Sequence, residues 1–152
     1  MIGIRLAEPR DWKQLAEMRA LLWPDASLQE HLAELEAGLS SGGQAGFPVV
    51  VLVSEDGLGA LSGFLEVGLR SHADGCETRR PVGFVEGWFV RGQHRGKGIG
   101  KQLMRAAEEW ARAQGCFEMA SDALIDNPGS ERAHEAVGFE VVDRCVHFRK
   151  AL

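Results

Sequence analysis

The chain has 152 residues, 45% of them hydrophobic, and carries 17 Lys plus Arg against 22 Asp plus Glu, a formal net charge of −5. A chain of this size can sustain one core without disulfides or a structural metal, so a single domain over residues 1–152 is expected. The acidic balance excludes a generally basic protein that coats nucleic acid. The charge is also unevenly placed. Nine acids and four bases lie within residues 1–60, and no Lys or Arg stands between Ala20 and Leu69. By contrast Arg91, Arg95, Lys97 and Lys101 cluster with no acid among them. Such a split suggests two ligands of opposite sign. Met1 to Arg10 lacks a long apolar run, which predicts a cytoplasmic protein with no membrane partner. Tyrosine is absent.

In chain order, Ile2 to Leu6 reads as a short strand. Pro9 and Asp11 then open a helix on which Trp12, Leu15, Arg19 and Leu22 recur at helical spacing, and Pro24 stops it. Ser27 and Glu30 form a capping box, followed by a stripe of Leu28, Leu32, Leu35 and Leu39 that Gly42 and Gly43 close. Phe47 to Ser54 predicts a strand, Glu55-Asp56-Gly57 its turn and Leu58 to Arg70 its hairpin partner. Ser71 to Pro81 is polar and turn-rich, a surface loop. Phe84 to Val90 is a buried strand running into a glycine-rich turn, with a helix from Gly100 to Gln114 and Gly115 as its stop. A strand from Cys116 to Ser121, a short helix from Ser130 to Val137 and an extended stretch from Phe139 to Lys150 complete the chain. The order predicts a mixed α/β fold of the α+β kind, a central, mostly antiparallel sheet flanked by helices. Cys76, Cys116 and Cys145 show no metal-ligand spacing, so free thiols and no metal site are expected.

In Arg95-Gly96-Lys97-Gly98-Ile99-Gly100, three glycines alternate between a strand and an amphipathic helix. Backbone N–H groups at such a helix N-terminus can wrap an anionic phosphate, and the four bases supply a matching field. The dinucleotide fingerprint fails, because the sixth position from Gly96 is Lys101, and a Walker loop fails for want of Ser or Thr. Arg-x-x-Gly-x-Gly does fit, through Arg95, Gly98 and Gly100. Together with Asn127 to Ser130, His134 and Gly138-Phe139, it makes the chain resemble the GNAT acyl-CoA N-acetyltransferase superfamily over nearly its whole length. The resemblance implies the GNAT fold and acetyl-CoA as co-substrate. It assigns Phe89, Val90, Arg95, Gly96, Lys97, Gly98, Ile99, Gly100, Lys101 and Asn127 to the cofactor.

The acceptor side is read from carboxylates. Glu86, Asp122 and Asp143 fall at the ends of expected strands or within them, and a carboxylate there is costly unless it faces a partner or a cleft. A narrower resemblance rests on Leu22-Trp23-Pro24, Val82 to Gly87, Gly115 to Asp122 and Gly138-Phe139-Glu140, which look like bacterial aminoglycoside 6′-N-acetyltransferases. By residue match, Trp23, Glu86, Asp122 and Asp143 would line the cleft for a cationic aminoglycoside; another amine, such as a polyamine or a protein lysine, is the alternative acceptor, and a CoA-binding module without turnover is the alternative from another class. Asp25, Glu30 and Glu34 fit a solvated helix face, or an acidic rim to that cleft. Ala73 stands where the family commonly has a Tyr beside the acceptor, and Asp143 replaces its usual Glu.

The chemistry expected is direct attack in a ternary complex. Glu86, directly or through water, takes the ammonium proton, with Asp122 nearby. Backbone N–H beside Val90 would meet the developing oxyanion. His134 occupies the superfamily's general-acid Tyr position, so it either protonates the departing thiolate or only packs on its helix. From Glu140 to Leu152 there is no Gly, Pro or Asn to turn a hairpin, which predicts one long C-terminal strand, or two joined by a kink, and a homodimer formed through it.

Overall fold

The computed structural model describes residues 3–39 and 46–152. Five strands, β1 (Gly3–Leu6), β2 (Val49–Glu55), β3 (Leu61–Arg70), β4 (Val82–Val90) and β5 (Met119–Ser121), form one sheet in that spatial order. The first four pair antiparallel and β5 pairs parallel to β4. Among the described residues four α-helices accompany them: α1 (Trp12–Leu22), α2 (Leu28–Ala37), α3 (Ile99–Ala113) and α4 (Pro128–Ala136). This is the mixed, mostly antiparallel sheet with flanking helices that the element order predicts.

Alternation along the central strands divides the core in two. Val51, Val53 and Phe64 point toward Leu15, Met18 and Leu35 of α1 and α2, whereas Leu52, Leu65 and Val85 meet Ile99, Leu103, Met104 and Ala107 of α3. The expected capping box forms: Glu30 N–H donates to Ser27 Oγ at 3.1 Å and Ser27 N–H to Glu30 Oε2 at 2.8 Å. Helix α2 ends earlier than expected, at Ala37, because Gly38 takes φ +86° there. Gly42 and Gly43 lie outside the described residues, as does Ile2.

Two further boundaries differ, each for a local reason. The hairpin partner begins at Leu61, not Leu58, since Asp56 Oδ1 accepts from the N–H groups of Leu58 (2.8 Å) and Ala60 (3.2 Å) and closes a wider turn. The strand expected from Cys116 begins only at Met119. Gly115 N–H and Cys116 N–H instead satisfy the carbonyls of Arg112 and Ala111, at 3.0 Å each, as a glycine C-cap requires. Cys116 is nonetheless buried.

The largest difference is at the C-terminus. Residues 139–152 pair with no strand among the described residues, and Val141, Val142, Val146 and Phe148 are exposed. In place of the long strand that the composition predicts there is an arm, which touches the body through Val142 against Gly75, Phe139 against His134 and Arg144 against Glu131 at 2.9 Å.

Strand β4 carries one irregularity that decides which side chains reach each face of the sheet. Glu66 pairs with Gly87 but Val67 pairs with Val85, so Glu86 is an extra residue, a β-bulge. Val85 and Trp88 pack toward α3, which leaves Glu86 and Gly87 as two consecutive residues on the α1 and α2 face.

Candidate functional site

Beyond Val85 the edge of β4 loses its neighbour, because β5 pairs only along Gly83 to Val85. The splayed edge borders a cavity of about 500 Å³. Arg91 N–H bonds to Ser62 O at 2.8 Å, toward β3, so strand alternation turns Val90 N–H and C=O to the open edge. Arg95 Nε donates to that Val90 carbonyl at 2.9 Å.

The floor of this cavity is backbone. Gly96 and Gly98 take φ of +78° and +81°, a conformation L side chains rarely adopt, and a Cβ at either would meet no atom within 4 Å. Neither amide donates a hydrogen bond among the described residues, so both stand open in front of the α3 N-terminus, which begins at Ile99 with Gly98 as its cap. Trp88 Nε1 donates to Gly100 O at 3.2 Å and its ring lies against Gly100. Across the cavity, Asn127 caps α4, its side-chain oxygen accepting from Ser130 N–H at 3.1 Å. Open left-handed amides at a helix start, with Arg95 and His94 beside them, fit an anionic diphosphate.

Of the residues expected to hold the cofactor, Phe89, Val90, Arg95, Gly96, Gly98, Ile99, Gly100 and Asn127 line this one cavity. Lys97 and Lys101 do not. Lys101 lines a separate hollow with Glu108 and Val137 between α3 and α4.

A second cavity, of about 560 Å³, opens on the α1 and α2 face. Trp23 and Glu86 line it, as expected, together with Arg19, His31, Glu34 and Glu66. Of these four, spacing alone suggests a site role only for Glu34, as part of an acidic rim, and leaves Arg19 as one of the spaced residues of a helix. Glu66 lies in the middle of a strand buried along nearly all its length and is itself 4% exposed. The buried Arg19 guanidinium pairs with it through Nη1, and through Nη2 with Glu34 at 2.5 Å. Burial pulls the Arg19 pKa below its ordinary value, and Glu34 opposes that shift. Glu86 is gripped by the fork of Arg70, Nε to Oε1 at 3.1 Å and Nη2 to Oε2 at 2.8 Å, while that guanidinium lies over the Phe84 ring.

The two cavities adjoin. Leu22 lines the first and Trp23 the second; Trp88 lines the first and Glu86 the second. Gly87 lies between them, and a Cβ there would come within 2.7 Å of Trp23 Cζ2 and 3.3 Å of Leu22 Cδ2.

The other expected site residues stand apart. Asp122, His134 and Asp143 line a third cavity, of about 210 Å³, between α4, the end of β5 and the C-terminal arm. Asp122 and Asp143 are exposed, so Asp122 carries none of the burial cost that a carboxylate ending an apolar strand would. His134 is tied at both ring nitrogens. Nδ1 lies 2.7 Å from the Ser130 carbonyl, which can only accept, so Nδ1 bears a proton; Nε2 lies 2.7 Å from Ser121 Oγ. Its ring meets Trp88 and Phe139 edge-on, each at 5.3 Å. Ala73 is buried against Val82 and Phe84 and does not line the cavity holding Trp23 and Glu86.

The acetyltransferase (GNAT) family pattern matches residues 12–139. The chain is 40% identical over 149 residues to the aminoglycoside N(6′)-acetyltransferase type 1 of Klebsiella aerogenes, covering 98% of this chain and 96% of that one. It is 41% identical over 150 residues to the protein of the same name from Stenotrophomonas maltophilia, covering 98% and 93%. Among solved structures, AAC(6′)-Iy in complex with the bisubstrate analog CoA-S-monomethyl-acetylneamine superposes with a TM-score of 0.86 at 31% identity, covering 100% of this chain and 99% of that one. A strand splay, an open glycine turn and these full-length likenesses lead to one assignment: the chain belongs to the GNAT acetyltransferase family.

Proposed function

We propose that the protein is an acetyl-CoA-dependent aminoglycoside 6′-N-acetyltransferase. The observation that carries the reading is the adjacency of the two cavities: an anion-binding turn made of backbone and a carboxylate-lined hollow share the Leu22-Trp23 and Glu86 to Trp88 segments. The full-length likeness to enzymes of that name supports the substrate class.

Acetyl-CoA supplies the acetyl group as a thioester, the activated form that an amine attacks. The amides of Gly96 and Gly98, with Arg95, would hold its diphosphate end, and Trp88 and Asn127 border the same cavity and would flank the rest of the group. Val90 N–H, turned to the open edge, is the donor for an oxygen lying there. On the acceptor side the carboxylates of Glu86, Glu66 and Glu34 attract the polycation and Trp23 forms a wall. Glu86 takes the ammonium proton, directly or through water, while Arg70 fixes its orientation. Asp122 and Asp143 lie in the third cavity rather than in this one, and being exposed they add to the negative surface that a polycation meets.

His134 is assigned to packing rather than to acid catalysis. Its Nδ1 proton is committed to Ser130 O, Nε2 to Ser121, and the ring buttresses Trp88 from behind the cofactor cavity. The thiolate then leaves unassisted.

The apolar arm supports a homodimer, in which residues 139–152 find strand partners on a second copy. The reaction is placed in the cytoplasm, where acetyl-CoA is made.

A thiol-release assay tests the function. Turnover is expected with acetyl-CoA and a kanamycin-type aminoglycoside, and not with an analogue lacking the 6′-amine. Faster turnover of polyamines than of any aminoglycoside would overturn the substrate class, and a monomer at micromolar concentration in sedimentation would overturn the dimer.

A further inference from the structure

Trp23 is the wall of the acceptor cavity, and helix α1 holds only its N–H, which donates to Arg19 O at 2.7 Å. It is the C-cap of α1, with φ −124° and ψ 77°, followed directly by Pro24. What holds it is a set of contacts from three elements. Gly87 of β4 lies beneath the ring, and the Arg19 guanidinium stands 5.0 Å from its centroid. The edge of Phe64 meets it at 6.3 Å. From α2, His31, 2% exposed, places Nε2 3.0 Å from the Trp23 carbonyl and Nδ1 3.4 Å from Arg19 Nε.

The tautomer of His31 follows from its partners alone. A carbonyl only accepts and a guanidinium only donates, so Nε2 carries the proton and Nδ1 offers its lone pair. The imidazole is thereby a neutral two-way connector between the backbone of Trp23 and the side chain of Arg19. Arg19 in turn uses Nη1 for the buried Glu66 and Nη2 for Glu34 at the rim. Each of its three nitrogens has a different partner, which a lysine ammonium on a single flexible stem cannot reproduce.

We propose that His31 and Arg19 are positioning residues for the acceptor, setting the Trp23 wall and the Glu66 and Glu34 carboxylates in one geometry; this rests on the reading of that cavity as the aminoglycoside site. Neither residue borders the cofactor cavity, so the two substrates should respond differently when either is changed.

The test compares His31→Leu, His31→Gln and Arg19→Lys in steady-state kinetics, with melting temperature as a check on folding. His31→Leu and Arg19→Lys are expected to raise the KM for a kanamycin-type aminoglycoside about tenfold while the KM for acetyl-CoA stays within about twofold. His31→Gln keeps a donor and an acceptor on one amide and should recover most of the loss. Should His31→Leu not fold, Arg19→Lys retains the buried charge and His31→Gln the hydrogen bonding, and the same split is read from them. Parallel rises in both KM values, no rise in either, or a Gln variant no better than Leu would overturn the proposal. Absence of aminoglycoside turnover by the wild-type enzyme would instead sink the functional reading beneath it.

Discussion

The two adjoining cavities are built by opposite means. The cavity of the glycine turn is shaped by main chain: left-handed glycines, a helix start and a strand edge left open by a short neighbour. The cavity that holds Trp23 and Glu86 is shaped by side chains that reach in from α1, α2, β3 and β4 and are held by counter-charges. Its carboxylates are not bare, since Arg19 partners Glu66 and Glu34, and Arg70 partners Glu86. A buried carboxylate without a partner would be costly, and the buried Glu66 and half-buried Glu86 each have an arginine beside them. In the first cavity the residue type is restricted at Gly96 and Gly98, where the backbone is left-handed. The second depends on each member of a network.

The largest expected effect breaks the acceptor side alone. Glu86→Gln should lower kcat about 100-fold with the acetyl-CoA KM unchanged, measured by thiol release. Equal loss of cofactor binding would show that the two cavities are not separable. Next, Gly98→Val should raise the acetyl-CoA KM about tenfold and spare the aminoglycoside KM, because a β-branched residue resists the left-handed backbone that exposes the amides.

A third change is a control, with the same chemistry placed outside both cavities. Asp11, 2% exposed, accepts from Arg5 Nη1 at 2.7 Å and from Glu8 N–H at 2.8 Å, and the Arg5 hydrogen bond holds its carboxyl below the ordinary carboxylate range. A depressed carboxylate pKa contributes stability that is present at neutral pH and lost as pH falls below about 4. Asp11→Asn should therefore lower the melting temperature at pH 7 by about 4–8 °C, the equivalent of about 2 kcal/mol, with a smaller difference at acid pH. Both KM values should stay put. Lys101→Ala should change the acetyl-CoA KM by less than about twofold, as the residue faces α4 rather than the glycine turn. Smallest of all, His134→Ala should leave the pH dependence of kcat unchanged; loss of a limb of the profile would restore an acid role to the imidazole.

The same contrast explains what the sequence could tell. The glycine turn is legible because a positive φ restricts residue type locally, and Gly96, Gly98 and Gly115 each stand where only glycine is at ease. The Ser27 and Glu30 cap is legible for the same reason, since its partners are three residues apart. The pairs Arg19 with Glu66 and Arg70 with Glu86 join residues 47 and 16 positions apart. Nothing in local periodicity brings them together. One signal is present: a glutamate in the middle of Leu61 to Leu69 needs a buried cation, and Arg19 sits on the apolar stripe of α1. Lys97 and Lys101 stand out as part of a basic cluster, but helical geometry turns Lys101 away. The C-terminal stretch has strand-like composition and no strand partner among the described residues, because composition reports what a segment could pair with and not where the partner is.

The bulge at Glu86 sets a limit on how this protein can change. One surplus residue lets β4 turn Glu86 and Gly87 to the α1 and α2 face while Trp88 and Val90 border the cavity of the glycine turn. Deleting that residue would send either Val82 to Val85 or Trp88 to Val90 to the wrong face of the sheet. New acceptors can thus be reached by exchanging side chains around Trp23, one at a time, whereas the length of β4 is fixed, and any gain or loss of chain must fall in loops such as Ser71 to Pro81.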